Sequence, residues 1–348
     1  MKTKIVVIGN GLVGYKFCEK LISKGKEAQL DITVLGEEYF PAYDRVHLTE
    51  FFNGKTAEDL SMTPANWYSD NGIKLYLGEL VSDVNLDKKT ISTHKGRVVE
   101  YDKLIFATGS APFVPPIEGI DKKGVFVYRT IEDLEAITAY AKNSKRGAVI
   151  GGGLLGLEAA KALLDLNLET EVVEFAPRLM PRQLDEAGSD MLRKKIEELN
   201  LKVNLKTNTS YIGGEAKVEK MVFEGGKEIL VDMVVVSAGI KPRDELAKTI
   251  GLKTGVRGGI VVDDRMQTSA KDIYAIGEVA LHNGMIYGLV APGYEMADVV
   301  VANLLGGDKT FTGLYRATKS KVIGGEVASV GDPFGGTETC NSIVFEDK

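Results

Sequence analysis

The alternation of apolar runs and polar breaks along the chain repeats itself. Lys4-Ile5-Val6-Val7-Ile8 is a short β-branched run, followed by Gly9-Asn10-Gly11-Leu12-Val13-Gly14 and a helical stretch to about Lys24. The same order returns 142 residues later as Ala148-Val149-Ile150, then Gly151-Gly152-Gly153-Leu154-Leu155-Gly156, then an apolar helix through Leu166. Each copy runs on into a second strand, Asp31 to Leu35 in the first and Thr170 to Val173 in the second. Strand, glycine turn, helix and strand make one βαβ dinucleotide-binding unit, so two are predicted.

Between the copies, residues 73–108 predict several short strands, with turns near Asp87-Lys88 and Lys95-Gly96. They close on Lys103-Leu104-Ile105-Phe106-Ala107-Thr108-Gly109. Beyond the second copy an amphipathic helix is predicted over 185–199, with Met191, Leu192, Ile196 and Leu199 in one apolar arc. Further strands end in Met233-Val234-Val235-Val236-Ser237-Ala238-Gly239. Asp272-Ile273-Tyr274-Ala275-Ile276-Gly277 is another, ahead of a helix starting near Pro292.

No Ser/Pro-rich linker or low-complexity stretch separates these parts. The prediction is an α/β fold of two doubly wound, Rossmann-type domains, one inserted in the other. Residues 1–112 and 241–312 form the outer domain and 113–240 the inserted one. Residues 313–348 predict strands near 318–323, 326–330 and 341–346, too few to bury a core. They are expected to begin a truncated C-terminal β-rich domain.

Composition narrows the class further. The 348 residues are 44% hydrophobic and 26% charged, as in a folded chain of two or three domains and unlike a disordered one. Forty-three Lys+Arg against forty-nine Asp+Glu leave a net charge of −6, which argues against nucleic acid as a partner. A run of only four apolar residues, Ile5 to Ile8, leads into Gly9. A secretory h-region needs about 7–15 and a membrane helix about 20, so a cytoplasmic protein without a membrane partner is expected. Cys18 and Cys340 lie 322 positions apart, and His47, His94 and His282 share no ligand spacing, so no metal site is expected.

The glycines carry chemistry. Gly9 makes the tight turn, Gly11 lets a pyrophosphate approach the backbone, and Gly14 lets helix and strand pack closely. Gly151, Gly153 and Gly156 repeat these roles. The helices opening at Leu12 and at Leu154-Leu155 offer unpaired N–H groups and a partial positive charge to phosphates.

An acid after the second strand reads ribose hydroxyls. Glu174 stands 21 residues after Gly153. Its carboxylate accepts from a 2′-OH and repels a 2′-phosphate, favouring NADH over NADPH, although Arg178 is a guanidinium able to admit that phosphate. In the first unit the insert Gly25–Asp31 leaves Glu37 or Glu38 for this role, and Glu37 is preferred. Two dinucleotide sites point to hydride transfer between a nicotinamide and a flavin. Arg45 is a candidate beside pyrophosphate or reduced flavin, where a cation offsets negative charge. His47 is either near the flavin ring or a packed or capping histidine. Trp67 and the scattered Phe and Tyr read as core, and Cys18 as a buried small hydrophobe.

Together these motifs resemble a flavoprotein family with two dinucleotide sites, which includes disulfide, ferredoxin and rubredoxin reductases. Ala107-Thr108-Gly109-Ser110 is similar to the family's short motif ahead of the NAD domain. Thr268-Ser269 with Ile273-Tyr274-Ala275-Ile276-Gly277-Glu278 is similar to its second flavin fingerprint. Tyr43-Asp44-Arg45-Val46-His47-Leu48, Arg129-Thr130-Ile131-Glu132-Asp133-Leu134, the run from Gly151 to Ala159, and Gly288-Leu289-Val290-Ala291-Pro292-Gly293-Tyr294 resemble one group within it. That group is the N-terminal halves of NADH-dependent nitrite reductase large subunits. The resemblance runs from about Lys4 to the last residue.

With the motif readings, the resemblance implies FAD on Gly9, Gly11, Leu12, Gly14, Glu37, Arg45, Ala107, Thr108, Gly109, Gly277, Glu278 and Pro292. It implies NADH on Gly151, Gly153, Leu154, Leu155, Gly156, Glu158, Glu174 and Gly239, with Glu158 and Arg45 closest to the chemistry. The implied activity is FAD-dependent NADH:acceptor oxidoreduction, with hydride passing from NADH to FAD and single electrons onward to an iron centre. In the resembled group that centre is sirohaem with an iron–sulfur cluster. Two isolated cysteines cannot hold them, so they are expected in a missing downstream region.

Departures from the family matter equally. Disulfide reductases carry a cysteine pair, and peroxidase-type relatives one cysteine, soon after the first ribose acid. Pro41 to Asn53 has none, so thiol–disulfide exchange is not expected. Ferredoxin-reducing relatives place a lysine where Glu50 stands, paired with the carboxylate matching Glu158. Without that pair Glu158 either positions nicotinamide or rides a helix face. The implied partners are a fused sirohaem/iron–sulfur domain or a rubredoxin or ferredoxin, a small nitrite reductase subunit, and a second copy in a homodimer. Two other readings stand beside this one: a stand-alone NADH:rubredoxin or ferredoxin reductase, and a flavin-bound NADH sensor or scaffold without useful turnover.

Overall fold

Two parallel sheets carry the fold in a computed structural model that describes residues 2–313, 317–322 and 325–330. Residues 2–48, 55–111 and 240–313 gather into one unit, and residues 49–54 and 112–239 into another. The sheet of the first unit runs Ile273–Ala275, Lys103–Phe106, Thr3–Ile8, Leu30–Leu35, Lys74–Tyr76. That of the second runs Lys202–Asn204, Glu169–Val173, Arg146–Ile150, Met233–Val236, Val125–Val127. Strands buried on both faces need no polar alternation. Ile5, Val6 and Val7 therefore follow one another in the core without a break, as do Met233, Val234 and Val235.

Register brings the strand ends level. Ile8 pairs with Leu35 and Phe106, and Phe106 with Ala275. Ile150 pairs with Val173 and Val236, and Val236 with Val127. The first residues beyond the strands therefore share one carboxyl edge in each unit: Gly9, Gly36 and Ala107 in the first, Gly151, Glu174, Ser237 and Tyr128 in the second.

The helix Leu12–Lys24 buries Gly14, Tyr15, Phe17, Cys18 and Leu21, a stripe of helical spacing. It packs against the helix Val290–Leu304, whose buried residues include Met296, Ala297, Val300 and Val301. Cys18 is fully buried and its thiol is pushed up to about 12, so it is an inert packing residue. Asp298 ties the pair together, lying 2.5 Å from Lys24 Nζ, 3.2 Å from Lys20 Nζ and 2.5 Å from Lys309 Nζ. Burial opposes its charge, but hydrogen bonds from Lys24, Lys309 and Lys20 outweigh that and hold its carboxyl well below the usual range.

Antiparallel strands complete each unit. Val81–Asn85, Thr90–Thr93 and Val98–Glu100 form one three-stranded sheet in the first. Lys89 (φ 49°) and Gly96 (φ 82°) sit in its turns, where the sequence marks them. Thr209–Gly213, Lys220–Phe223 and Glu228–Leu230 form another in the second, with Ile212, Met221 and Phe223 packed on Ala148 and Val234.

Several expectations are corrected. The helix near 185–199 spans Glu186–Glu197 and buries Ser189, Leu192 and Ile196. Met191 is 62% exposed and Leu199 43% exposed. Met191 lies one helical step, about 100°, to the side of Leu192, and Leu199 follows the helix end. Trp67 does pack against the core, with ring centroids 5.0 Å from Tyr15 and from Tyr68. Tyr39 and Phe175 are 73% and 78% exposed and are not core. The last long helix begins at Val290, so Pro292 falls in its first turn, where a missing N–H breaks no helical bond. Ala317–Val322 and Gly325–Val330 pair antiparallel. The strand expected near 341–346, and Cys340, lie outside the described residues. Among the described residues no helix is long and apolar enough to cross a membrane.

Two outcomes follow from this packing. Leu192→Ala should cost about 2–5 kcal/mol of stability, and Met191→Ala less than about 0.5 kcal/mol, in urea unfolding. Asp298→Asn should destabilise at neutral pH. Since the folded carboxyl lies below its ordinary value of 3.8, that difference is full above about pH 4 and shrinks as pH falls through the folded pKa. A mutant-to-wild-type gap that is the same at about pH 7 and pH 3 would contradict the assignment.

Candidate functional site

The two glycine turns do the same steric work. Gly9 has φ +109°, and a Cβ there would lie 2.3 Å from Ala107 O. A Cβ on Gly14 would lie 2.2 Å from Gly9 O. In the second unit Gly151 has φ +121° and a Cβ on it would meet Ser237 O at 2.2 Å, while one on Gly156 would meet Gly151 O at 2.0 Å. The fold therefore requires glycine at the outer positions of both turns.

The middle glycine differs. A Cβ on Gly11 or on Gly153 would meet nothing among the described residues within 4 Å. Both have extended backbone that any residue adopts, with φ −84° and −81°. Their missing side chains leave room that no described residue fills within 4 Å. The helices behind them, Leu12–Lys24 and Leu154–Asp165, have among the described residues no side-chain cap and no acid in the first turn. Elsewhere the chain does cap: Thr130 and Asp133 form a capping box, and Asp185 accepts from Gly188 N at 2.8 Å. The two glycine-turn helices thus present unopposed N–H groups and partial positive charge, suited to a phosphate.

Around the second turn, Glu174 is 7% exposed and its carboxylate accepts from Gly152 N at 2.5 Å and Ala176 N at 2.7 Å. Gly152 is needed for this, because a Cβ there would lie 2.7 Å from Leu179 Cδ2 and 3.0 Å from Glu174 Cβ. Gly152 was missed from sequence as a site residue, although the uninterrupted triple glycine was its signal. Gly239 has φ +123° and its carbonyl accepts from Phe113 N at 2.8 Å. Glu158 is half-buried on the helix that starts at Leu154.

The first turn is filled the opposite way. Register places Gly36 where the second unit has Glu174, and Asn10 stands where the second has Gly152. A Cβ on Gly36 would lie 3.2 Å from Asn10 Cβ, and Asn10 Oδ1 accepts from Tyr68 O–H at 2.7 Å. Glu37 is one residue further out and ion-pairs with Arg243. Arg243 was missed from sequence, where no spacing rule joins it to Glu37. Its carbonyl accepts from Thr108 Oγ1 at 2.8 Å and its N–H donates to Gly109 O at 3.0 Å. Glu38 pairs with Arg45 and accepts from Tyr43 O–H at 2.6 Å, and Arg45 lies 4.5 Å over the Tyr43 ring. His47 is neither packed nor a cap but an exposed residue with Nδ1 2.8 Å from Asp44 Oδ2.

The remaining first-unit candidates meet at the same edge. Glu278 Oε2 accepts from Ser110 Oγ at 2.6 Å, next to Ala107-Thr108-Gly109. Cβ atoms on Gly277 and Gly293 would lie 3.2 and 2.5 Å from Val13 Cγ2, so the fingerprint, the glycine turn and the helix carrying Pro292 converge. That helix also lacks a side-chain cap and a first-turn acid among the described residues.

Two α/β units of Rossmann type, each with an uncapped glycine turn at its carboxyl edge, define a class of protein built for two dinucleotides. Residues 3–302 match the family described as pyridine nucleotide-disulphide oxidoreductase, and the chain belongs to it. It is 50% identical over 350 positions to the Nitrite reductase (NADH) large subunit of Escherichia coli strain K12, covering 100% of this chain and 41% of that one. It is 38% identical over 332 positions to the Assimilatory nitrate reductase electron transfer subunit of Bacillus subtilis strain 168, covering 95% and 43%. Among solved structures, NADH:rubredoxin oxidoreductase from Clostridium acetobutylicum superposes with TM-score 0.82 at 27% identity, covering 100% of this chain and 87% of that one. The chain spans about two fifths of the length of these two curated relatives.

The steric division among the glycines is testable without ligand. In cofactor-stripped protein, Gly11→Ser and Gly153→Ser should leave stability unchanged or raise it by roughly a few tenths of a kcal/mol, since serine caps a helix slightly better than glycine. Gly14→Ser and Gly156→Ser should cost at least about 1–3 kcal/mol, because backbone stands in the way. Equal losses at all four positions in urea unfolding would contradict this.

Proposed function

We propose that this chain is the electron-entry module of an NADH nitrite reductase, an FAD-dependent NADH:acceptor oxidoreductase with FAD on the first unit and NADH on the second. The observation that carries it is the space over Gly11 and Gly153, unfilled among the described residues, each at a helix N-terminus that no described side chain caps. FAD, when bound, takes the hydride of NADH and passes electrons singly to an iron centre.

The residues fit both groups. Gly9, Gly11, Gly14 and the N–H groups from Leu12 would hold the FAD pyrophosphate, with Glu37 on the adenosine ribose. Ala107, Thr108, Gly109, Gly277, Glu278 and Pro292 would line the rest, with Arg45 offsetting negative charge. Gly151, Gly153, Leu154, Leu155 and Gly156 would hold NADH, with Glu158 and Gly239 toward its nicotinamide end. Two backbone N–H groups fix the Glu174 carboxylate and leave it lone pairs for ribose hydroxyls. A buried anion held this way also disfavours a 2′-phosphate, so NADH is chosen over NADPH.

The acceptor would be sirohaem and an iron–sulfur cluster in a further region of a longer cytoplasmic protein, working with a small subunit and as a homodimer. A rubredoxin-type acceptor is the second reading, favoured by the 87% coverage of the rubredoxin-reducing structure.

Purified protein should carry FAD, and anaerobic NADH should bleach it. The chain alone should reduce ferricyanide but not nitrite. Glu174→Ala should raise the NADH concentration for half-maximal bleaching about tenfold or more, the loss of a charge-assisted hydrogen bond, with FAD content unchanged. An unchanged NADH requirement would remove Glu174 from the ribose.

A further inference from the structure

Tyr128 is the first residue beyond the strand Val125–Val127, level with Gly151 and Glu174 on the carboxyl edge of the second unit. It stands on the opposite side of the glycine turn from Glu174, because Glu169–Val173 flanks Arg146–Ile150 on one side and Met233–Val236 with Val125–Val127 on the other. A dinucleotide lying over Gly151–Gly156 with its adenosine at Glu174 extends its other end toward Tyr128.

The side chain has an unexplained property. Tyr128 is 4% exposed, yet its hydroxyl has no hydrogen-bond partner among the described residues. Its ring is held, stacked on Phe52 with centroids 6.3 Å apart and planes 18° from parallel. Burial, and after it the charge of Glu158, push the phenol far above its ordinary value, so the O–H stays a neutral donor. A buried donor without an acceptor costs stability and returns nothing to the folded chain alone.

We propose that Tyr128 is a positioning residue for the nicotinamide of NADH, donating its O–H to the carboxamide oxygen while Glu158 accepts from the carboxamide N–H2. This rests on the reading of the second unit as an NADH site. A carboxamide offers one acceptor and one donor group side by side, and a neutral phenol with a carboxylate is its complement. A carboxylate in its place would offer only acceptors and a negative charge, which Glu158 repels.

The test measures equilibrium binding to FAD-loaded protein, wild type and Tyr128→Phe. The ligands are tetrahydro-NAD, which keeps the carboxamide but transfers no hydride, and ADP-ribose, which lacks the nicotinamide. Tyr128→Phe should weaken tetrahydro-NAD about five- to tenfold, as for one lost hydrogen bond, and leave ADP-ribose unchanged. The unliganded variant should melt at the same temperature or higher, having lost only an unpaired hydroxyl. Wild-type affinity for tetrahydro-NAD in the variant, equal weakening of both ligands, or a lowered melting temperature with no ligand selectivity would each overturn the inference. If wild-type protein binds neither ligand, the NADH reading itself falls and this inference with it.

Discussion

Where the helix after the first strand crosses back over that strand, Gly14 passes Gly9 with room for a hydrogen and no carbon. A Cβ would stand 2.2 Å from the carbonyl oxygen, and the second unit repeats the approach at 2.0 Å. Much else depends on this contact. It aims the helix N-terminus at the carboxyl edge of the sheet, level with the ends of the neighbouring strands. It also leaves the first helical N–H groups facing outward, with no side chain among the described residues to cap them. The close approach sets where the positive end of the helix points, and the absent side chain of the middle glycine leaves the space over it open among the described residues.

The same backbone is filled in opposite ways in the two units. In the second, Gly152 makes room for Glu174, which is buried and held by two backbone N–H groups. In the first, Asn10 occupies that room, the matching position is Gly36, and the acid moves out to Glu37. There it meets Arg243 at the surface, with both side chains more than a third exposed. A buried carboxylate on two backbone donors is fixed in place. A surface ion pair is worth about 0–1 kcal/mol and exchanges readily with water or ligand. Two turns of shared geometry therefore carry two kinds of carboxylate, one held rigidly by backbone and one adaptable.

The sequence by itself determined both βαβ units, the identity of their glycines and the place of Glu174. Each of these is local: β-branched runs, a three-glycine spacing and an acid directly after a strand are set by backbone preferences over a few residues. Cys18 was legible for the same reason, lying on the apolar stripe of its helix. Tertiary structure alone decided that Leu192 and not Met191 faces the core, since an apolar arc allows either until a partner surface chooses. It alone joined Arg243 to Glu37, required Gly152 because Leu179 leans on it, and left the Tyr128 hydroxyl without a partner among the described residues. Those facts depend on which distant segments the strand order brings level, and periodicity within one element carries no information about that.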